Sequence, residues 1–369
     1  MKTKTFDMSQ KRQKAIMVQV VYDTKKEKPE LAFSELKSLI EADNMVVVGS
    51  LLQNRKTPDS ATLIGEGKLE ELAIMVNDLE ADIIVFKNDL SGSKIRNLEN
   101  YLGKKVIDRV NLILDIFAQR ATSQEGKLQV ELAQLKYSLP RLSGLNNSYG
   151  RFGGGVGMRG PGETKLELDK RIIEDKIVEK RRELKKLEDN RNVKRSQRLK
   201  SGKSKVSIVG YTNGGKSTLL NVMTKANIFA EDMLFATLDT TTRNLWLGPR
   251  KEILITDTVG FVSDLPHDLV EAFKSTLQEA MDADLLIHIV DASDPEYKEK
   301  QEIVNGVLVE LGALGLPTIV CYNKIDKAEN FEIIEDEKTL CISAKNNYNI
   351  DKLKQKIEEI LFPGMKNEY

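Results

Sequence analysis

The chain has 369 residues, enough for two or three domains, and its 40% hydrophobic content supplies a sizeable core. Its 56 basic and 56 acidic residues cancel, so only the distribution of charge can speak for or against a nucleic-acid partner. No stretch approaches the ~20 apolar residues of a membrane span. Residues 1–14 lack the apolar run of a signal peptide, and Asp7 departs from a transit peptide. Two cysteines, Cys321 and Cys341, and two histidines leave no zinc constellation in one chain. Both thiols lie in apolar strand-like runs and are expected to be buried and free, in a reducing, cytoplasmic setting.

In chain order, residues 15–22 read as a strand and 30–42 as an amphipathic helix. Residues 45–48 form a strand, and a polar connection runs through Lys56 and Pro58. Further short apolar runs at 61–64, 82–86 and 105–107 are separated by helical patterns at 69–79 and 93–102. Strands alternating with helices of this length predict a small parallel-sheet α/β domain over residues 1–110.

The middle third, 111–200, changes character. Leu128, Leu132, Leu135, Leu139 and Leu142 form a heptad seam. Ile173, Ile177, Leu184 and Leu187 form a stripe on a second helix. Between them, seven of the thirteen residues from Gly150 to Gly162 are glycine. The pattern predicts an antiparallel helical hairpin with a glycine-rich tip, in a monomer. From Arg151 to Lys205 there are 18 Lys/Arg and 9 Asp/Glu, a net of +9. That suits either a solvated face or contact with a phosphate backbone.

Residues 201–369 open with an apolar strand at 206–209. Gly210, Tyr211, Thr212, Asn213, Gly214, Gly215, Lys216 and Ser217 follow, then a helix over 217–224 that includes Thr218. This is the G-x-x-x-x-G-K-[ST] spacing of a phosphate loop. Backbone N–H groups turn inward on the phosphates, Lys216 reaches the β- and γ-phosphates, and Ser217 offers a hydroxyl to Mg²⁺. Asp257 at the end of a strand over 253–255 can hold the same ion through water, and Gly260 can turn its N–H onto the γ-phosphate. Asp326 can accept from guanine N1–H and its 2-amino group, a pattern adenine lacks. Asn323 braces that loop, and the Lys324 stem lies over the base. Ser343, Ala344 and Lys345, after an apolar run at 340–342, offer a backbone N–H to guanine O6. Four such motifs in order, each after a strand, predict a P-loop G domain that binds GTP and GDP.

Switch I is sought in Phe235 to Thr242, with Thr237 preferred as the Mg²⁺ ligand and Thr240 to Thr242 as fallbacks. The position that carries a water-orienting glutamine in many signalling GTPases is Phe261 here. Slow intrinsic turnover, on the order of 10⁻³ per second or less, with stimulation by a partner, follows. Lys216, Thr237 and Gly260 are the candidate catalytic residues. Asn213 fits either a K⁺ site or a turn-stabilising asparagine.

These motifs, together with longer runs, resemble the HflX family of ribosome-associated GTPases. The runs are IGEGKLEE (64–71), Asp108 and Arg109 followed by LILDIF (112–117), EGKLQVELAQLK (125–136), GGGVGMRGPGETK (153–165), FATLD (235–239) and DTVGF (257–261). The resemblance implies binding of the GTP form to the large (50S) ribosomal subunit and its RNA, and splitting or rescue of stalled ribosomes. The alternative is GTP-timed ribosome assembly or RNA chaperoning. It makes Arg151, Arg159 and Lys165 at the hairpin tip candidate RNA contacts through backbone charge and shape. Thr240 stands where the family has proline after Asp239, which loosens the switch I assignment. Some relatives carry a further C-terminal domain, whose role is not carried over. The glycine turn at 64–68 fits either a structural turn or an anion site for a second nucleotide.

Overall fold

The computed structural model describes residues 12–22, 29–142, 165–199, 203–224, 235, 240–248, 251–262, 282–313, 315–329 and 331–363. The chain divides into two compact units, one from residues 1–116 and 134–175, the other from 117–133 and 176–369.

The first unit is built on a four-stranded sheet of order β2-β1-β3-β4, parallel throughout. Its strands are β1 (Lys14–Val21), β2 (Val46–Asn54), β3 (Ile83–Phe86) and β4 (Lys105–Asp108). β1 reads KAIMVQVV and is buried from Ala15 onward, as a strand covered on both faces must be. The helices α1 (Pro29–Ala42), α2 (Glu66–Asp78) and α3 (Gly92–Leu102) separate the strands. Leu72 and Val76 of α2 and Leu98 of α3 pack with Ile16, Val18, Ile84 and Phe86. α3 is closed at both ends: Ser91 Oγ accepts from the Lys94 N–H at 3.4 Å, and Gly103 caps the other end at φ +64°.

The run at 61–64 is not a strand. Asp59 Oδ1 accepts from the N–H groups of Ala61 (2.8 Å) and Thr62 (3.1 Å), and Leu63 sits at φ +73°. An aspartate that bonds its own downstream backbone makes a turn, and the apolar side chains of Leu63 and Ile64 are buried from that turn. The Ala61 N–H, then that of Thr62, holds the Asp59 carboxyl below its ordinary range. At the glycine turn beyond, the Gly65 N–H donates to Gln53 Oε1 at 3.0 Å.

β4 runs straight into α4 (Arg109–Arg120) because Asp108 caps it, accepting from the Asn111 N–H at 3.0 Å. The same buried carboxylate accepts from the Leu90 N–H (3.0 Å) and Arg141 Nη2 (3.2 Å), and from the Tyr137 hydroxyl. A buried charge so fully bonded is tolerated, and it ties the end of α5 (Gln124–Leu142) to β4. Of the heptad seam, Leu128 and Leu132 are buried, while Leu135, Leu139 and Leu142 are only half-buried. α6 (Lys165–Leu199) carries the second stripe: Ile177 is buried and Ile173, Leu184 and Leu187 are half-buried between exposed charges. Lys180 Nζ pairs with Glu131 Oε2 at 3.1 Å. The glycine-rich tip, with Arg151 and Arg159, lies outside the described residues, and of Lys165 only the backbone is described.

The second unit holds a six-stranded sheet of order β10-β9-β8-β5-β7-β6. β5 (Lys205–Gly210), β7 (Lys251–Asp257), β8 (Leu285–Asp291), β9 (Thr318–Asn323) and β10 (Thr339–Cys341) are parallel, and the edge strand β6 (Thr241–Gly248) is antiparallel to β7. Among the described residues, α7 (Lys216–Thr224), α8 (Tyr297–Glu310) and α9 (Ile350–Leu361) connect or follow these strands. One face of the sheet packs Ile208, Ile255, Ile287 and Ile319 against Leu219 and Leu220 of α7 and Leu353 and Ile357 of α9. Cys321 is buried and Cys341 is half-buried, both free. No described helix is long and apolar enough to cross a membrane.

Candidate functional site

The loops that leave the C-terminal ends of β5, β7, β9 and β10 bring the sequence motifs together, where parallel sheets bind ligands. The first loop runs from Gly210 to α7. Gly215, at φ +94°, has no room for a side chain: a Cβ would stand 2.3 Å from Asn323 Nδ2. Asn213 is exposed at φ +59°, a left-handed conformation that asparagine tolerates. Thr218 is half-buried in the first turn of α7. Lys216 is 6% exposed, and its Nζ donates to the carbonyls of Gly210 (3.1 Å) and Tyr211 (2.8 Å). Burial pulls its ammonium down to about 8, with Asp257 opposing the shift and Lys324 adding to it.

The loop after β7 is pinned to the first one. The Thr212 N–H donates to the Phe261 carbonyl at 2.7 Å, and the Phe261 N–H donates to the Gly210 carbonyl at 3.2 Å. The Thr258 hydroxyl donates to the Ile208 carbonyl at 2.7 Å. At Gly260 a Cβ would meet Thr212 Cγ2 at 2.7 Å and Lys216 Nζ at 2.9 Å, so these three residues share one point of the site. Ser217 Oγ donates to Asp257 Oδ2 at 2.6 Å, which brings together two oxygens of the kind Mg²⁺ takes. Two hard oxygens from separate motifs at one spot fit that ion. Phe261 is 2% exposed, an apolar side chain turned into the protein.

Asn323, buried at the end of β9, joins the guanine loops to the phosphate loop. Its Nδ2 donates to the Gly214 carbonyl and its Oδ1 accepts from the Ala344 N–H, both at 2.9 Å. Lys324, at φ +63°, pairs with Asp291 Oδ2 at 2.8 Å. Asp326 is exposed and accepts from the Ser343 hydroxyl at 2.6 Å, which holds its carboxyl below the ordinary range. Lys345 is exposed beside them.

Thr237 lies outside the described residues, whereas the fallbacks Thr240, Thr241 and Thr242 open β6 and its approach. The Thr242 and Thr256 hydroxyls lie 2.9 Å apart, so Thr242 is already engaged across the β6–β7 pair. Three features went unnoticed in the sequence. Phe235 is buried at φ +57° and meets Phe117 edge to face, with ring centroids 4.6 Å apart. His288, 1% exposed on β8, is pushed down to about 4, by burial first and then by the Lys216 ammonium. Thr212 Oγ1 is buried without a hydrogen-bond partner among the described residues. None has a sequence signal beyond its residue type.

Family models match three stretches in succession: a GTP-binding GTPase N-terminal region at 30–118, a GTP-binding GTPase middle region at 120–198 and a 50S ribosome-binding GTPase at 205–324. The chain is similar to the GTPase HflX of Caldanaerobacter subterraneus subsp. tengcongensis, with 49% identity over 96% of this chain and 82% of that protein. It is similar to the GTPase HflX of Alkalihalophilus pseudofirmus at 46% identity, over 96% and 84%. Among solved structures, a GTP-binding protein from the archaeon Sulfolobus solfataricus in complex with GDP aligns at TM-score 0.51 and 25% identity, over 94% of this chain and 98% of that one. Phosphate loop, guanine loops and this likeness over nearly the whole length agree: the chain belongs to the HflX family of GTPases.

Proposed function

We propose that this GTPase is magnesium-dependent and that its GTP form binds the large (50S) ribosomal subunit and splits or rescues stalled ribosomes. Gly210 to Thr218 cradle the phosphates, with Lys216 as the counter-charge on the β- and γ-phosphates. Ser217, Asp257 and Thr237 hold Mg²⁺, which when bound neutralises charge on the transferring phosphoryl group. Gly260 offers its N–H to the γ-phosphate. Asn323, Lys324 and Asp326 with Ser343, Ala344 and Lys345 hold guanine. Asn213 fits either a K⁺ ion, which would add a fixed positive charge, or a turn-stabilising role. The observation that carries the nucleotide reading is Asn323, one side chain joining the phosphate loop to the loop of Ala344.

The ribosomal reading is supported by the 50S ribosome-binding GTPase description of the matched family and by the net +9 from Arg151 to Lys205. In it, residues 1–110 form an N-terminal domain, 111–200 a hairpin whose tip contacts RNA through Arg151, Arg159 and Lys165, and 201–369 the G domain. The protein works as a monomer in the cytoplasm, partly on ribosomes. Sedimentation with 70S ribosomes and isolated subunits tests this, in a non-hydrolysable GTP analogue against GDP. Co-migration with the large subunit only in the analogue, with a shrinking 70S peak, is expected. Protein that stays at the top of the gradient in both nucleotides refutes it, and preference for immature subunits favours an assembly role instead.

A further inference from the structure

We infer that the Thr212 hydroxyl is a further catalytic group, one that holds the attacking water against the γ-phosphoryl group. The inference rests on the reading of this loop as the GTP site. Thr212 is 6% exposed, and its Oγ1 has no partner among the described residues although buried hydroxyls are nearly always bonded. Its position is fixed by the backbone, since its N–H donates to the Phe261 carbonyl at 2.7 Å. A Cβ on Gly260 would touch both Thr212, at Cγ2 (2.7 Å) and Cα (2.9 Å), and Lys216 Nζ (2.9 Å). Thr212 therefore stands where the ammonium that serves the γ-phosphate meets the glycine that senses it. The residue that orients water in many GTPases is here the buried, apolar Phe261. Among the described residues, the uncommitted Thr212 hydroxyl is a polar group available for the task.

In the reaction, the water oxygen bonds to the γ-phosphorus while the bond from that phosphorus to the β–γ bridging oxygen breaks, its electron pair leaving with GDP. The water's proton passes to a γ-phosphate oxygen. The Thr212 oxygen accepts a hydrogen bond from that water and orients it, and it neither gives up nor gains a proton.

The bland alternative is that Thr212 serves only by its methyl group, for which valine would do as well or better. Hydrolysis and fluorescent-nucleotide affinity are therefore measured in full-length Thr212→Val, Thr212→Ser and Thr212→Ala, beside a Lys216→Ala control and thermal melts. Thr212→Val is expected to lower kcat at least about tenfold with nucleotide Kd within about twofold, and Thr212→Ser to restore most of the loss. A valine variant that hydrolyses at the unaltered rate, or that loses affinity and rate together, overturns the assignment. Should the valine variant fail to fold, the serine and alanine pair decides, since only serine keeps the hydroxyl. A Lys216→Ala protein that binds and hydrolyses GTP normally overturns the reading of the site itself, a result separate from any at Thr212.

Discussion

Replacing Asn323 with alanine should cost the protein both stability and nucleotide affinity, in amounts that follow from two hydrogen bonds. The side chain is 2% exposed. It serves the Gly214 carbonyl and the Ala344 N–H, each at 2.9 Å, two backbone groups that lie 130 residues apart on different loops. A made hydrogen bond contributes only about 0.5–1.5 kcal/mol net, but a buried group left without its partner costs about 1–3 kcal/mol. Alanine orphans two such groups at once. Water entering the space left behind recovers part of the loss, because the site is polar. The balance is about 2–4 kcal/mol, a large share of the 5–15 kcal/mol that holds a typical domain. With about 2–4 °C per kcal/mol for a domain of this size, the melting temperature should fall by about 4–16 °C. Thermal melts with and without saturating GDP read this, and the variant should also gain less from GDP than the unaltered protein. A variant that melts within about a degree of the parent, with the same GDP shift, would refute the claim that one side chain holds the loops together.

Ser217→Ala removes the hydroxyl that meets Asp257 Oδ2 at 2.6 Å, so the Mg²⁺ concentration needed for half-maximal hydrolysis should rise at least about tenfold while metal-free GDP binding stays close to normal; a magnesium titration of the rate checks it. Ser343→Ala removes the bond that holds the Asp326 carboxyl low. Asp326 must be ionised to accept both guanine donors, and a lowered folded value keeps it ionised as pH falls. The variant should therefore lose guanine affinity at a higher pH than the parent, read as an upward shift of the acid limb of Kd against pH. Phe235→Leu removes the edge-to-face contact with Phe117 and should destabilise by about 0.5–1.5 kcal/mol beyond any change in buried area. The Phe117→Leu, Phe235→Leu double variant should then cost less than the two singles together; strict additivity in denaturant melts would mean the rings do not act as a pair.

What was legible in the sequence was local. A strand, a glycine turn and a helix in order at 205–224 put Lys216 and Ser217 at the start of α7, because fixed spacing on one chain segment determines where residues fall. The parallel sheet of the first domain followed from short apolar strands that alternate with helical patterns, as at 15–22, 30–42 and 45–48. Contacts between segments were not legible. Nothing near Asn323 says that it reaches Gly214, and nothing in FATLD says that Phe235 turns inward onto a ring 118 residues earlier. The heptad at 128–142 indicated a face without saying what covers it, so its last three leucines are only half-buried. The apolar run at 61–64 was misread because Asp59, outside the run, captures its backbone.

Phe261 ties the expectation of slow chemistry to a pinned loop. The loop after β7 is pinned on one side by Thr258, whose hydroxyl bonds the Ile208 carbonyl at 2.7 Å, and on the other by Phe261, bonded both ways to the phosphate loop. Between the pins lie only Val259 and Gly260. Motion within this loop is thereby confined to rotation of a peptide or two, and Gly260 can take part because it has no Cβ to strike Thr212 or Lys216. A glutamine in place of Phe261 would bring a polar amide to that position, and at 2% exposure its burial costs about 1–3 kcal/mol unless it is bonded there. An aromatic ring carries no such cost, and it leaves no polar group at the position where many GTPases hold water. The side chain that pins the loop carries no group to hold water, so the unaided enzyme is expected to be slow, which leaves room for a partner to set the time of hydrolysis.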